Sequence, residues 1–170
     1  GSIDWWSAPN LDSPPLFDRL LDPKIGGFFS LTPAVDYTVS RAYREDSNIL
    51  ETRFETDDGT VLLTESINST LAGRLPWSEL ARRLEGVRGT VPFRLHLRFG
   101  TMIETRSPWR SDTFKGSVYH IGDLMAMLHT SENVVITRAD DEEIEAEITL
   151  KKGSREVVAL LVTQSEPLAV

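Results

Sequence analysis

The sequence predicts an all-β fold, an antiparallel β-sandwich with one or two short helices. Three observations carry this prediction: apolar and polar residues alternate along several short stretches, turn-forming residues separate these stretches, and segments with helical spacing are few. Many short strands with regular turns favour two sheets packed face to face. The chain has 170 residues, within the usual range for one domain, so we expect residues 1–170 to form a single β-sandwich domain.

The first strong strand signal is a hairpin. Residues 49–56 and 60–66 flank Asp57-Asp58-Gly59, and an Asp-Gly step supplies the positive φ angles that a tight hairpin turn needs. These two segments are therefore predicted to pair antiparallel. In residues 91–99 every odd position is apolar, which predicts a strand with one buried face.

The C-terminal half repeats this design. Residues 115–121 and 124–130 are predicted to pair across a turn at Gly122-Asp123. A three-stranded meander is predicted to follow, over residues 133–139, 143–151 and 155–164. Within its last strand the nearly continuous apolar run of residues 157–162 is typical of a central strand covered on both faces.

Two short segments carry helical signals. Residues 16–21 follow Asp12-Ser13-Pro14-Pro15, which offers Asp12 or Ser13 as an N-cap and a proline near the first helical position, and Pro23 would end this helix. Residues 76–85 place four apolar side chains at helical spacing, with Gly86 behind them as a terminator. Each segment is predicted to form a short helix.

Composition and charge exclude several classes of function. Lys plus Arg number 18 and Asp plus Glu 26, a formal net charge of −8 at pH 7, which argues against a surface that neutralises nucleic-acid phosphates or anionic lipid. No apolar run approaches the roughly 20 residues of a membrane span. The chain has no cysteine, so it has no disulfide, thiolate metal site or cysteine nucleophile. We expect no cofactor, no metal, no nucleic-acid partner and no membrane association.

The opening of the sequence bears on its context. The segment Gly1-Ser2-Ile3-Asp4-Trp5-Trp6 is apolar and aromatic at once, without the polar lead-in that solvates a natural terminus. We therefore expect the chain to be part of a longer protein. A cytoplasmic location is expected because no targeting segment opens the sequence, although many secreted proteins also lack disulfides.

No catalytic motif is complete in this sequence. The glycine-flanked serine elbow of serine hydrolases is absent, and Gly26-Gly27 is a lone pair that fits a turn before a strand better than a phosphate loop. The acidic residues between 140 and 147 lack the spacing of a calcium loop. Their alternation along one predicted strand indicates a solvated edge or turn.

The histidines and two N-terminal carboxylates are further candidate site residues. His96, His120 and His129 lie on separate predicted strands without metal-ligand spacing, which indicates surface or interface residues. Asp4 and Asp12 can be nominated as the two carboxylates of a glycosidase. Asp12 fits a cap or turn position better, because it precedes Ser-Pro.

The N-terminal aromatic stretch is the most distinctive candidate site. Trp5-Trp6 precedes a turn containing Pro9, Asn10 and Asp12, a composition suited to stacking on a sugar or packing against another protein. The same composition equally fits an alternative in which one indole lies in the core and the other at its rim. Trp109 is a further candidate for an exposed aromatic, with the alternative that it only covers the sheet.

The order of the motifs resembles that of a known family. The N-terminal group comprises Gly1-Ser2-Ile3-Asp4-Trp5, Pro9, Asp12-Ser13-Pro14, Phe17, Leu20-Leu21-Asp22 and Gly26-Gly27-Phe28. A second group comprises Arg41-Ala42-Tyr43, residues 48–54, Asp58-Gly59 and residues 80–89. Together these motifs resemble the N-terminal domain of bacterial glucoamylase-like and trehalase-like enzymes of glycoside hydrolase family 15. The resemblance covers about residues 1–100, and only the strand pattern matches beyond them.

This resemblance implies a β-sandwich domain that precedes a helical barrel carrying two catalytic glutamates. In such enzymes a carboxylic acid protonates the leaving oxygen of an α-glucosidic bond while a carboxylate activates water, with inversion at carbon. Neither role transfers to a position of this sequence, so no catalytic residue is assigned. The sequence departs from the family at Asn10, where arginine is usual, and at Glu65-Ser66-Ile67, where the family has an Asp followed by an aromatic residue or Met.

Three hypotheses of function follow. The leading one is a non-catalytic N-terminal β-sandwich domain of a glucoamylase- or trehalase-like α-glucoside hydrolase. It would dock on the helical-barrel catalytic domain of the parent chain, and wall part of its cleft, through Trp5, Trp6, Pro9, Asn10 and Asp12. The alternative is a free-standing carbohydrate-binding module for α-glucans, in which the same aromatics form an open platform. The third is a small independent glycosidase that uses two of its own carboxylates.

Overall fold

The computed structural model describes residues 1–68, 77–100, 108–114 and 116–164. These residues form strands and no helix, so none of them belongs to a helix that could cross a membrane. The strands are β1 (Ser2–Ile3), β2 (Trp6–Ser7), β3 (Pro15–Phe17), β4 (Phe28–Pro33), β5 (Thr38–Tyr43), β6 (Leu50–Glu55), β7 (Gly59–Asn68), β8 (Ser78–Arg98), β9 (Trp109–Thr113), β10 (Gly116–Ile121), β11 (Leu124–Thr130), β12 (Val135–Ala139), β13 (Glu143–Lys151) and β14 (Arg155–Thr163). The prediction of an all-β fold is confirmed.

The strands form a sandwich of two antiparallel sheets that share β8. The larger sheet has the order β5-β6-β7-β8-β14-β11-β10-β9, and the smaller sheet has the order β1-β4-β8-β13-β12. Among the described residues, strands β2 and β3 pair only with each other. We call residues 4–27, which contain them, the N-terminal ribbon.

Strand β8 belongs to both sheets because it folds back near Gly89. Its first half pairs with β7 and β14, and its second half pairs with β4 and β13. Gly89 has a φ of 63°, in the left-handed region that side chains rarely adopt. A Cβ atom there would lie 1.7 Å from the carbonyl oxygen of Asp58. Only glycine fits at this bend in β8.

Both ends of β8 lie at the same end of the sandwich. Ser78, at its start, lies in one cross-strand row with Val162, Ala126 and Tyr119. The ring of Tyr119 packs on that of Phe99, just beyond the other end of β8, with centroids 5.0 Å apart. The two halves of β8 therefore face each other across the core.

The N-terminal ribbon is attached at this same end. The amide of Gly100 donates a hydrogen bond to the carbonyl of Leu16, and Arg98 donates from its guanidinium to the carbonyl of Lys24. We call this the ribbon end of the sandwich. Thr163, the last residue of β14, follows directly on the row that contains Val162, so it also lies at the ribbon end.

The predicted hairpins are confirmed, but the predicted meander is wrong. Strands β6 and β7 pair antiparallel, as do β10 and β11, and β12 pairs with β13. Strand β14, however, pairs with β11 and β8 rather than with β13. The turn between β13 and β14 passes from one sheet to the other, because Lys152 and Gly153 donate backbone hydrogen bonds to Gly89 and Gly86 at the fold of β8. The position of β14 between two strands confirms its prediction as a central strand.

Both predicted helices are wrong. In residues 16–21, Leu16 and Phe17 end strand β3 and both are buried in the core. In residues 76–85, of which Pro76 lies outside the described residues, β8 begins at Ser78 and buries alternate side chains. Leu80 and Leu84 lie four positions apart, a spacing that fits a strand face as well as a helix face.

Candidate functional site

Asp18 attaches the N-terminal ribbon to the sandwich. Its side chain is fully buried, and its carboxylate accepts a 2.6 Å hydrogen bond from the amide of Gly27. The carbonyl of Gly27 in turn accepts hydrogen bonds from the amides of Asp18 and Arg19. A Cβ atom at Gly27 would lie 2.2 Å from the amide nitrogen of Gly100. The ribbon is thus held by a close backbone contact that requires glycine.

The two neighbouring tryptophans have different environments. Trp6 is 8% exposed and packs on Phe17 in the core, with ring centroids 5.9 Å apart. Trp5 is 43% exposed. The structure therefore matches the alternative in which one indole lies in the core and the other at its rim. Trp5 can contact a partner, and Trp6 supports the ribbon from inside.

The turn after the tryptophans is exposed and closed by hydrogen bonds. The amide of Ser13 donates to the carbonyl of Asn10, and the amide of Asn10 donates to the hydroxyl of Ser13, both at 3.2 Å. Asn10 and Asp12 are exposed, and Pro9 is half-buried. The turn therefore presents the polar groups of Asn10 and Asp12 together with the apolar side chain of Leu11.

Large apolar side chains are exposed along the ribbon, and sequence reasoning missed them as site residues. Leu11 is 98% exposed and Leu20 is 73% exposed, and Leu21 and Ile25 are about half exposed. Residues 16–21 had a helical pattern, which places apolar residues on a buried face. The Leu20-Leu21 pair followed by Pro23 was the signal in the sequence that could have indicated an exposed turn.

Trp109 lies on edge strand β9, outside the ribbon. Tyr119 points into the core, so the neighbouring His120 and its cross-strand partner Trp109 lie on the outer face of the larger sheet. Their rings stack with centroids 3.7 Å apart and an angle of 5°. His120 also forms a 2.9 Å hydrogen bond with the hydroxyl of Ser111. Trp109 is 54% exposed despite this stacking.

An open groove of about 610 Å³ runs beside β1. Its lining includes Asp4 from the N-terminal motifs, and Arg41, Tyr43 and Asn48 from motifs about 40 residues later. Strand β5 forms an edge of the larger sheet, and the smaller sheet does not cover it. Tyr43, on β5, is therefore 70% exposed, although it lies on the same face of the sheet as the core residues of the neighbouring strands. Asp4 is ion-paired with Arg19 at 2.5 Å.

A buried ion pair lies below this groove. Arg82 is fully buried, and its Nε donates to Oε1 of Glu65 at 2.9 Å. Its two terminal nitrogens donate to the carbonyls of Phe29 and Gly1. Burial lowers the pKa of Arg82, and the Glu65 carboxylate opposes this shift. Arg82 thereby links strands of both sheets.

The structure also brings one histidine next to two carboxylates. His96, Glu143 and Glu145 lie side by side on β8 and β13, with potential ligand atoms within 4.8 Å of one another. Arg138 bonds both carboxylates, to Glu143 at 3.1 Å and to Glu145 at 3.3 Å, and Arg98 also pairs with Glu143. The carboxylates are thus engaged in a charge-compensated network.

The comparisons with known proteins point to one kind of enzyme. No family model matches the sequence. Trehalase 2 of Sulfolobus acidocaldarius is 41% identical over 71 residues, trehalase of Thermoplasma acidophilum is 35% identical over 109 residues, and trehalase of Mycobacterium tuberculosis is 32% identical over 91 residues. The chain is similar to trehalases. It is therefore related to trehalase-like glycoside hydrolases over part of its length, with relatives in archaea as well as mycobacteria.

The matches cover a much larger fraction of this chain than of the trehalases. They cover 42%, 59% and 53% of this chain. They cover only 12%, 19% and 12% of the respective trehalases. The matched part of the chain thus spans less than a fifth of the length of these relatives.

Substituting Asp18 with alanine is expected to loosen the ribbon. The substitution leaves the buried amide of Gly27 without its acceptor, and an unpaired buried donor costs about 1–3 kcal/mol. We expect a loss of that size in the free energy of unfolding, measured by urea denaturation, together with faster proteolysis within residues 4–27. Asp12→Ala, in the exposed turn, is the matched control and should change neither quantity. Equal effects of the two substitutions would contradict this role of Asp18.

Proposed function

We propose that the chain is a non-catalytic N-terminal β-sandwich domain of a trehalase- or glucoamylase-like α-glucoside hydrolase of glycoside hydrolase family 15. The observation that carries the proposal is the similarity to trehalases over less than a fifth of their length. Most of a trehalase lies outside this match, and the catalytic machinery belongs to that larger part. The ordered motifs of residues 1–100 support the same assignment.

The arrangement of carboxylates supports a non-catalytic role. An inverting glycosidase needs one carboxylic acid to protonate the leaving oxygen and one carboxylate to activate water, about 6.5–9.5 Å apart. Asp4 is held in an ion pair with Arg19, and Glu143 and Glu145 are bonded to Arg138. In our proposal both catalytic carboxylates belong to a helical-barrel domain of the parent chain, whose substrate is trehalose or an α-glucan.

The catalytic domain is the proposed partner, and the ribbon end is the proposed site of contact. Trp5 serves as an exposed anchor, Asn10 and Asp12 supply the polar rim and Pro9 contributes apolar surface, while Trp6 fixes the ribbon from the core side. A cytoplasmic location and the absence of nucleic-acid, membrane and cofactor binding belong to the same proposal.

Hydrolysis assays test this proposal. The 170-residue chain and the reading frame extended beyond Val170 are each incubated with trehalose and maltose. The extended protein should release glucose, with the β-anomer formed first from maltose, and the 170-residue chain should release none. Glucose release by the 170-residue chain would overturn the non-catalytic role. An extension without several hundred helical residues would overturn the proposal that the parent protein carries a helical-barrel catalytic domain.

The alternative is a free-standing carbohydrate-binding module, and the Trp109–His120 stack favours it. The imidazole covers one face of the indole and fixes its orientation, while Trp109 remains 54% exposed. Calorimetry with a soluble α-glucan separates the two functions. Saturable binding that Trp109→Ala abolishes supports the module, and absence of binding supports the docking domain.

A further inference from the structure

Strand β5 forms an open edge of the larger sheet. Among the described strands it pairs only with β6, in one unbroken register over six residues, and all six residues are exposed. Residues 38–43 contain neither proline nor lysine. Edge strands are normally protected by such residues, by a bulge or by a covering segment, because their unpaired backbone groups bind readily to another strand.

The other edge strands of comparable length in the described part of the chain are protected. On β9, the amide of Arg110 donates to the carboxylate of Asp141, and its guanidinium donates to the carbonyl of Ala139. On β12, a register shift between Ile136 and Arg138 interrupts the ladder. Strand β5 is therefore the edge on which another strand can be added.

The outward backbone groups of β5 belong to Val39, Arg41 and Tyr43. The amide of Arg44 donates to the carbonyl of Ile49, on the side of β6, and the direction of these groups alternates along a strand. Positions 38, 40, 42 and 44 therefore bond towards β6, and positions 39, 41 and 43 point away from it. A strand that pairs with β5 bonds to these three residues.

We propose that β5 pairs antiparallel with β5 of a second copy of this chain, across a twofold axis at Ser40. Outward positions must pair with outward positions, so the axis passes through a residue rather than between two residues. In this register Val39 of one copy faces Arg41 of the other, and the larger sheets of the two copies form one continuous sheet. This inference does not depend on the proposed function.

Charge and aromatic pairing favour the axis at Ser40. Continued beyond Thr38, this register places Asp36 of each copy opposite Arg44 of the other, and opposite charges across a ladder are favourable. It also places Tyr37 opposite Tyr43, which are 42% and 70% exposed in the single chain. Aromatic pairs across two strands contribute to sheet stability. Each of these contacts occurs twice because of the symmetry.

The neighbouring registers lack this complementarity. An axis at Arg41 places the two arginines directly opposite each other, and like charges in such a pair are destabilising. An axis at position 39 or 42 places Arg44 opposite Ala34 or Ser40, which are uncharged. The charges of this edge therefore fit a second copy in one register.

Charge reversal tests the pairing and its register together. Asp36→Arg and Arg44→Asp each create two like-charged pairs, so each variant alone should raise the dissociation constant of the dimer at least about tenfold, measured by sedimentation of the 170-residue chain. An equimolar mixture of the two variants should dimerise as the parent chain does, because each arginine then faces an aspartate. Asp123→Arg, in the exposed turn between β10 and β11, is the matched control and should leave the dimer unchanged.

A cysteine at the axis provides a second measurement. The chain has no cysteine, and the two copies of Ser40 form a pair without hydrogen bonds, whose Cα atoms lie about 4.5 Å apart. A disulfide spans this distance. Ser40→Cys should therefore give a covalent dimer with oxidised glutathione. Thr38→Cys should not, since its two copies lie more than about 13 Å apart.

Several outcomes would overturn the pairing. One is a 170-residue chain that is still monomeric at about 1 mM. Another is a dimer that both charge variants leave unchanged, or a mixture that does not restore it although each variant has the circular dichroism spectrum of the parent chain. Equal cross-linking of Ser40→Cys and Thr38→Cys would contradict the axis at Ser40.

Discussion

Substitution of Arg82 with methionine is expected to lower the free energy of unfolding by about 3–5 kcal/mol, the usual cost of breaking a buried ion pair. The Glu65 carboxylate would remain almost buried without its cation, and the carbonyls of Gly1 and Phe29 would each lose a donor. Because Glu65 lies on β7, Phe29 lies on β4 and Gly1 directly precedes β1, the loss affects both sheets. Urea denaturation followed by circular dichroism measures the change.

A second substitution serves as the control for this prediction. Adding Glu65→Leu to Arg82→Met removes the unpaired carboxylate, and replacement of a whole buried pair by apolar residues is often close to neutral. The double variant should therefore be more stable than Arg82→Met alone, but less stable than the parent chain because the two carbonyls still lack donors. A cost below about 1 kcal/mol for the single variant would contradict the buried pair.

Local patterns were sufficient to predict the strands but not their partners. The hairpin at Asp57-Asp58-Gly59 and the alternation of residues 91–99 depend only on neighbouring residues, and the structure confirms both strand pairing and alternation. The expected turn geometry was wrong, because neither Asp58 nor Gly59 has a positive φ angle. The sheet switch after β13 depends on backbone hydrogen bonds from Lys152 and Gly153 to the fold of β8. A Lys-Gly turn has the same sequence signal whether the flanking strands pair or separate.

The helix predictions failed where apolar spacing was ambiguous. Leu80 and Leu84 both face the core from β8, and Arg82 lies between them on the same buried face. The predicted helix over residues 76–85 rests on the spacing of its apolar residues alone, and that spacing does not indicate a buried Arg82. Its buried partner, Glu65, lies 17 residues away in sequence, so no local pattern could indicate the pair.

The candidate site was predicted in part. The composition of the N-terminal stretch indicated that one tryptophan could be core and one rim, and the structure has Trp6 and Trp5 in these positions. The resemblance motifs Phe17 and Gly26-Gly27-Phe28 hold the ribbon in place. The exposure of Leu20 and Leu21 was not predicted, because these residues follow a buried Asp18 that bonds to Gly27, and this contact between separate parts of the ribbon has no local signal in the sequence.

Replacing Phe99 with alanine is expected to destabilise the chain by about 3–5 kcal/mol, the usual cost of truncating a fully buried phenylalanine. Phe99 is fully buried, contacts Tyr119 across the core, and is followed directly by Gly100, which bonds to the ribbon. The cavity would therefore open at the junction of both sheets and the ribbon. Urea denaturation measures the loss of stability. Tryptophan fluorescence should also detect the cavity, since Trp6 packs on Phe17 in the same core. Phe99→Leu, which keeps most of the volume, should cost less than about 1.5 kcal/mol. If alanine and leucine have the same small effect, Phe99 does not join the sheets to the ribbon, and the ribbon end would lack the rigid base that docking requires.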